Sequence, residues 1–193
     1  GASRVMDWIE TEPAIDAKKV AVVGQSRLAK VAVITAAFDT RFGLCCPNDG
    51  GCKTLSLVPN LMFPHWFAPG LRAWTEIGKS GLSSAETAKL RGEKPPLPFD
   101  QSSLVGCIAP RVVHFGASSH DVYAPPDLPF ATLRDAAPVW RLFGKTNVPP
   151  DARLLDFEPF FGDLSWHCKF GPHSINRTDW RHYMESARRA FCR

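Results

Sequence analysis

Ser26 lies in the stretch Lys19 to Lys30, KVAVVGQSRLAK, where a short β-branched run breaks at Gly24, presents the serine and passes directly into a helix-forming segment. That order is the layout of a nucleophile elbow. A buried strand ends, a tight turn lifts a hydroxyl above the sheet, and the first N–H groups of the next helix point at the same place. The chemistry would be acyl transfer by an activated serine. The local pattern is G-x-S-x-L and not the commoner G-x-S-x-G, so the stretch alone also fits a serine that merely caps a helix.

A serine hydroxyl is a weak nucleophile at neutral pH and needs a base, which in turn needs an acid to orient it. Behind a strand-to-helix elbow these partners follow in the chain order Ser, Asp or Glu, His. His173, in Phe170-Gly-Pro-His-Ser, sits between the last strand and the terminal helix, where a loop returns it to the serine. Its rivals are His167, which falls beside Trp166 and could line a pocket, His65 in an aromatic loop, and His114, which reads as buried strand structure. Two acids compete: Asp121 in Ser-Ser-His-Asp-Val-Tyr and Asp49 in Pro-Asn-Asp-Gly-Gly. Each also suits a turn, Asp49 more so because glycines follow it.

Arg27 and Lys30 add charge. The backbone N–H of Arg27, directly after the serine, would supply half of an oxyanion hole. Its guanidinium and the Lys30 ammonium, one turn beyond Ser26 on the same helix face, favour an anionic substrate if the serine is reactive. Otherwise they are two solvated helix residues.

These residues need a sheet to bring them together. Strands are expected at Lys19–Val23, Phe42–Cys46 and Arg111–Gly116, with weaker candidates at Val139–Phe143 and Leu164–Cys168. Helices are expected at Ser3–Glu12, from Ser26 to about Phe38, near Pro129–Ala137, and at Asp179–Phe191 with Trp180, Tyr183, Met184 and Ala187 on one face. Helices alternating with short, nearly continuous apolar strands indicate an α/β protein with a mostly parallel sheet covered on both faces. Residues 47–101 lack clear periodicity and are rich in Pro, Gly and aromatics.

At 193 residues and 45% hydrophobic content the chain forms one sizeable core, and residues 1–193 are expected to be a single domain. By analogy with hydrolase sheets that follow a nucleophile elbow, which have more strands, four or five are few, so the chain reads as the C-terminal portion of a domain lacking its N-terminal strands. A net charge of +4, scattered along the chain, argues against nucleic acid. No apolar run reaches the roughly 20 residues that span a bilayer. The six cysteines show no CxxC spacing, which argues against a zinc knuckle. Cys45, Cys46 and Cys107 read as small core residues.

The motifs together resemble the glucuronoyl esterases of carbohydrate esterase family 15, over almost the whole chain. Gly24-Gln-Ser-Arg-Leu-Ala-Lys30 is similar to the family's G-x-S-R-x-G-K motif, with Ala29 in place of the usual Gly. Phe63-Pro-His-Trp-Phe67 and Pro98-Phe-Asp-Gln101 through Ile108-Ala-Pro-Arg111 resemble its bacterial-type signatures, although Ser102 replaces a usual His. His120-Asp-Val-Tyr-Ala-Pro125 and Gly171-Pro-His173 resemble its acid and histidine segments.

The resemblance implies an α/β-hydrolase fold and a cofactor-free, metal-independent serine triad. The reaction it implies is cleavage of esters between lignin alcohols and the 4-O-methyl-glucuronic acid of glucuronoxylan. Carried over by position, Ser26 is the nucleophile and His173 the base. Arg27 stabilises the oxyanion, and Lys30 bonds sugar hydroxyls. Trp66, Tyr123 and His167 face the substrate, Tyr123 standing where the family has a Trp. Members place the triad acid at either position, here Asp121 or Asp49; Asp121 is favoured because an aspartate at 49 is one methylene shorter than the family's glutamate. A monomer acting outside the cytoplasm, secreted or periplasmic, without nucleic-acid or membrane partners, is the corresponding expectation. Another serine esterase or peptidase, or a non-catalytic sugar-binding relative, is the alternative.

Overall fold

The computed structural model describes residues 1–50, 101–122, 124–145, 148–154 and 157–192. Four parallel strands form one sheet: β1 (Ala21–Gln25), β2 (Leu44–Asn48), β3 (Val112–Ser118) and β4 (Leu164–Lys169), ordered as in the chain. Register runs level across the carboxyl end, with Gln25 opposite Asn48, Asn48 opposite Gly116 and Gly116 opposite His167. All four strands therefore deliver their following loops to one edge.

Among the described residues the helices are α1 (Ala2–Ile9), α2 (Arg27–Phe38), α3 (Gln101–Gly106), α4 (Asp127–Arg141) and α5 (Arg177–Phe191). Successive side chains of a strand point to opposite faces, and β2 shows the consequence. Cys45 packs with Ala32, Val113, Leu133 and Trp140 from the α2 and α4 side. Leu44 and Cys46 pack with Tyr183, Ala187 and Phe191 of α5 on the other. Helices thus cover both faces, as the uniformly buried β2, β3 and β4 require. Arg41 ties α1 to the loop before β2 through Asp7, Glu10 and Asp39.

Some expectations need correction. Val139–Phe143 is not a strand: Val139 to Arg141 close α4, and Leu142 begins the turn after it. The helix continues past Pro138 because Phe130, Leu133, Ala137 and Trp140 stay on its buried stripe, and the Trp140 indole N–H donates to the Arg111 carbonyl at 3.0 Å. The strand after Val20 begins two residues later than expected and, like β2 and β3, runs two residues further, to the rim. Helix α1 stops at Ile9. Cys107 is exposed, unlike the buried Cys45 and Cys46. On α5 the buried residues are Asp179, Tyr183 and Ser186, whereas Trp180 and Met184 face outward.

Candidate active site

Ser26 lies between β1 and α2 with φ 61° and ψ −122°. A positive φ at a non-glycine residue costs on the order of 1–3 kcal/mol and persists only where the surroundings over-determine it. Here they do. The Ser26 N–H donates to the Asn48 carbonyl at 2.8 Å, extending the ladder one residue past β1, and its own carbonyl accepts from Ala29 N–H at 3.0 Å, starting the helix. The hydroxyl makes no capping bond to α2. The capping alternative fails on that point, because the side chain satisfies no helix N–H. Gly24 makes the tight crossing possible: a Cβ there would press on the backbone of Leu28 and Ala29.

The second positive φ at a non-glycine among the described residues is Asp49, at 46°, just beyond β2. Its amide donates to the Gly116 carbonyl at 2.9 Å. The side chain turns inward and is 1% exposed. Oδ2 accepts from the Ser118 hydroxyl at 3.0 Å, the Ser174 N–H at 3.0 Å and Asn48 Nδ2 at 3.2 Å, and Lys169 Nζ lies 3.8 Å away. Oδ1 is buried without a hydrogen-bond partner. Burial pushes this carboxyl above its ordinary value, opposed by Lys169 and the Ser174 and Ser118 donors.

Asp121 and His173 come from the loops after β3 and β4. His173 Nδ1 and Asp121 Oδ2 are 2.6 Å apart, the carboxylate fully buried and the imidazole partly open to solvent. The other carboxylate oxygen accepts from the Ala124 N–H at 2.9 Å. An ionised carboxylate can only accept, so Nδ1 carries the proton and Nε2 is left as the basic nitrogen. That is the orientation a general base needs. The two loops are stitched together by backbone bonds from Ser119 N–H to the Lys169 carbonyl and from His120 N–H to the Gly171 carbonyl, both 2.9 Å. Four neighbouring strand ends thus supply Ser26, Asp49, Asp121 and His173 in chain order.

Asp49, Asp121 and His173 also bring ligand-capable atoms within 4.8 Å of one another. The 2.6 Å bond commits His173 Nδ1 and Asp121 Oδ2 to each other, so the cluster is built to orient an imidazole. The buried thiols are unreactive: burial pushes Cys45 up to about 12 and Cys168 to about 11.

Arg27 is exposed at the start of α2 and Lys30 half-buried one turn later, adjoining a hollow shared with Ala29, Pro47 and Gln101. His167 is placed differently from the expectation. It is 1% exposed, with Nδ1 2.9 Å from His114 Nε2 and Nε2 2.9 Å from Asp179 Oδ1. Both ring nitrogens are used inside the protein, which removes it from any set of substrate ligands. Trp66, Tyr123 and His65 lie outside the described residues.

A parallel sheet with helices on both faces, a strained serine at a strand-to-helix turn, and an acid and imidazole on later loops at the same edge define the α/β-hydrolase class. The family described as "Glucuronyl esterase, fungi" matches residues 1–144. The chain is 30% identical over 202 residues to the carbohydrate esterase MZ0003 of an unknown prokaryotic organism, covering 97% of this chain and 42% of that protein. It is 30% identical over 181 residues to a 4-O-methyl-glucuronoyl methylesterase of Phanerochaete carnosa, covering 92% and 42%. Among solved structures, a glucuronoyl esterase of Solibacter usitatus superposes with a TM-score of 0.76 at 28% identity. A promiscuous esterase of carbohydrate esterase family 15 from a marine bacterial metagenome gives 0.79 at 30%. Each alignment covers 99% of this chain and 47% of the other. This chain belongs to the glucuronoyl esterases of carbohydrate esterase family 15. It spans less than half the length of these relatives.

Proposed function

We propose that this chain carries the catalytic edge of a serine esterase acting on esters of 4-O-methyl-glucuronic acid, with Ser26, His173 and Asp121 as the triad. The observation that carries the reading is the 2.6 Å bond from a buried Asp121 to His173 Nδ1, which fixes the imidazole tautomer. Ser26 Oγ attacks the ester carbonyl while His173 Nε2 takes its proton. The tetrahedral intermediate collapses with return of that proton to the departing alcohol, leaving a glucuronoyl-serine ester. Water, deprotonated by the same imidazole, then attacks that ester and releases the uronic acid and free Ser26.

The Arg27 N–H, in the first turn of α2 where helix amides lack intrahelical partners, and the Arg27 guanidinium stabilise the oxyanion. Lys30 bonds sugar hydroxyls, and Trp66 and Tyr123 supply aromatic surface to the saccharide. Asp49 supports the edge, its Oδ2 bonded to Ser118, Ser174 and Asn48. The relatives named 4-O-methyl-glucuronoyl methylesterase support a 4-O-methyl-glucuronoyl ester as the substrate, and glucuronoxylan–lignin esters are the polymeric form proposed for it. A secreted or periplasmic monomer suits that polymeric substrate; among the described residues no helix is long and apolar enough to cross a membrane.

The test is hydrolysis of benzyl and methyl glucuronate by the full-length protein, alongside Ser26→Ala. Turnover of both esters and a loss of roughly 10^5-fold or more in the variant are expected. A wild type that cleaves neutral acyl esters but no uronate ester would refute the substrate class.

A further inference from the structure

Lysines are almost never fully buried unless paired, and Lys169, the last residue of β4, is 5% exposed. Its ammonium donates to Asp179 Oδ1 at 2.9 Å and to the Ser174 carbonyl at 2.7 Å. The first bond answers its charge. The second reaches the residue directly after His173. That same residue is held twice more, its carbonyl by Asn48 Nδ2 at 3.0 Å and its N–H by Asp49 Oδ2 at 3.0 Å. Ser174 is therefore clamped between β2 and β4, with the lysine supplying the charged contact.

Behind the lysine, Asp179 is itself fixed. Its Oδ2 accepts from the Asn176 N–H at 2.7 Å, and its Oδ1 is shared between Lys169 and His167 Nε2 at 2.9 Å each. Because an ionised Asp179 only accepts, His167 donates through Nε2 and accepts through Nδ1 from His114 Nε2, 2.9 Å away. His114 in turn accepts at Nδ1 from the Ser186 hydroxyl at 2.5 Å. One proton per ring satisfies the whole chain, and burial holds both rings below the ordinary imidazole value, so both histidines are neutral and neither balances Asp179. That leaves Lys169 as the counter-ion of Asp179, and through it α5 anchors the loop that bears His173.

We infer that Lys169 is a positioning residue for the catalytic histidine: it transmits the rigid Asp179 anchor to the peptide of Ser174 and so holds His173 against Asp121. The inference rests on His173 being the base. The need for a clamp follows from the loop itself, where Phe170 is 76% exposed and Pro172 is exposed as well. On the other flank the Gly171 backbone is bonded only to the neighbouring loop, at Ser119 and His120, so Ser174 is the side from which β2 and β4 hold the ring.

In the full-length protein, two readouts test this: the far-downfield proton resonance of the His173–Asp121 hydrogen bond, recorded without substrate, and the steady-state constants. Lys169→Met should broaden or abolish the resonance and lower kcat about 100-fold, with KM within about threefold, the effect of roughly ångström-scale misplacement. Lys169→Arg keeps the charge and donors and should retain both. If Lys169→Met does not fold, Lys169→Met combined with Asp179→Asn removes the stranded buried charge and carries the same readouts. An unchanged resonance and kcat in a folded methionine variant overturns the inference. So does an arginine variant as impaired as the methionine one, because packing and not the charged contact would then be at work. Loss of the resonance in a protein that hydrolyses no ester refutes the esterase reading while leaving the positioning role standing.

Discussion

Gly24→Ala probes how the elbow is built. A Cβ on Gly24 would lie 2.8 Å from the Ala29 amide nitrogen and closer still to the Leu28 carbonyl, and neither is a side chain that can swing aside. Ordinary contact begins near 3.4 Å, so α2 must retreat from β1 by at least 0.6 Å at Ala29 and by about 1.3 Å at the Leu28 carbonyl oxygen, the scale at which misplaced catalytic groups cost about 100-fold. Ser26 sits on the segment that would move, between a ladder bond to Asn48 and the first helical bond to Ala29. Overpacking of this kind costs about 1–3 kcal/mol, or roughly 2–4 °C in Tm for each kcal/mol in a chain of this size. Thermal denaturation and uronate-ester hydrolysis of the same preparation should therefore show a modest fall in Tm with a fall of about 100-fold in kcat. Wild-type kcat together with wild-type Tm would refute the argument that the strand-to-helix crossing depends on glycine.

Two further predictions concern the carboxylate and the buried histidines. Asp121→Asn removes the acceptor that selects the Nδ1–H tautomer of His173, and kcat should fall about 10^4-fold with little change in Tm; a loss below tenfold would mean that Asp121 is not the orienting acid. His114 and His167 are both held below the ordinary imidazole value by burial first, and in the folded protein they stay neutral. The unfolded chain protonates them near pH 6.5, so their contribution is fully present above that pH and is lost below it, at up to about 1.4 kcal/mol per pH unit for each. Urea midpoints should be flat from pH 8 to 7 and drop between pH 6.5 and 5; a flat profile down to pH 5 would contradict neutral buried rings.

What the chain reveals to a reader of its sequence divides along physical lines. The elbow was legible because it is local: a β-branched run, a glycine and a serine occupy adjacent positions. The order of Asp121 and His173 was legible because parallel strands with helical crossovers send every following loop to one edge. The terminal helix begins at Arg177, two residues before the expected Asp179; the Asn176–Asp179 capping box was the local signal for that start. The supporting network was not legible. Asn48 meets Ser174 across 126 positions and Tyr183 across 135, and nothing in the local pattern of either segment announces the pairing. Hydrophobic periodicity also misjudged α5, where Trp180 and Met184 face outward while Asp179 and Ser186 are buried. Burial there follows hydrogen bonding, because the polar groups have partners inside. One signal was available: a lysine ending the apolar run LSWHCK has to find an anion if the strand is buried.

The two strained residues explain why the edge is arranged as it is. Ser26 and Asp49 follow adjacent strands whose last residues, Gln25 and Asn48, are in register, and the ladder continues past both strand ends, from Ser26 N–H to Asn48 and from Asp49 N–H to Gly116. Each residue is therefore held by sheet hydrogen bonds up to the point where its φ becomes positive, and the turn is made in a single residue. The hydroxyl that results makes no capping bond to its own helix, and the carboxylate is buried and bonded to the Ser174 N–H. A relaxed turn of several residues would let both side chains sample alternatives. Strain set against a rigid ladder removes that freedom and fixes both side chains in one arrangement. Gly116 lies level with both strand ends for the same reason: a Cβ there would fall 2.7 Å from His167 Cε1 and closer to the Tyr183 hydroxyl and Asn48 Oδ1. The absence of a side chain at Gly116 is what leaves room for the Tyr183–Asn48 bond, at 2.6 Å. The clamp on Ser174 depends on that bond, since it fixes the amide whose other end holds the Ser174 carbonyl.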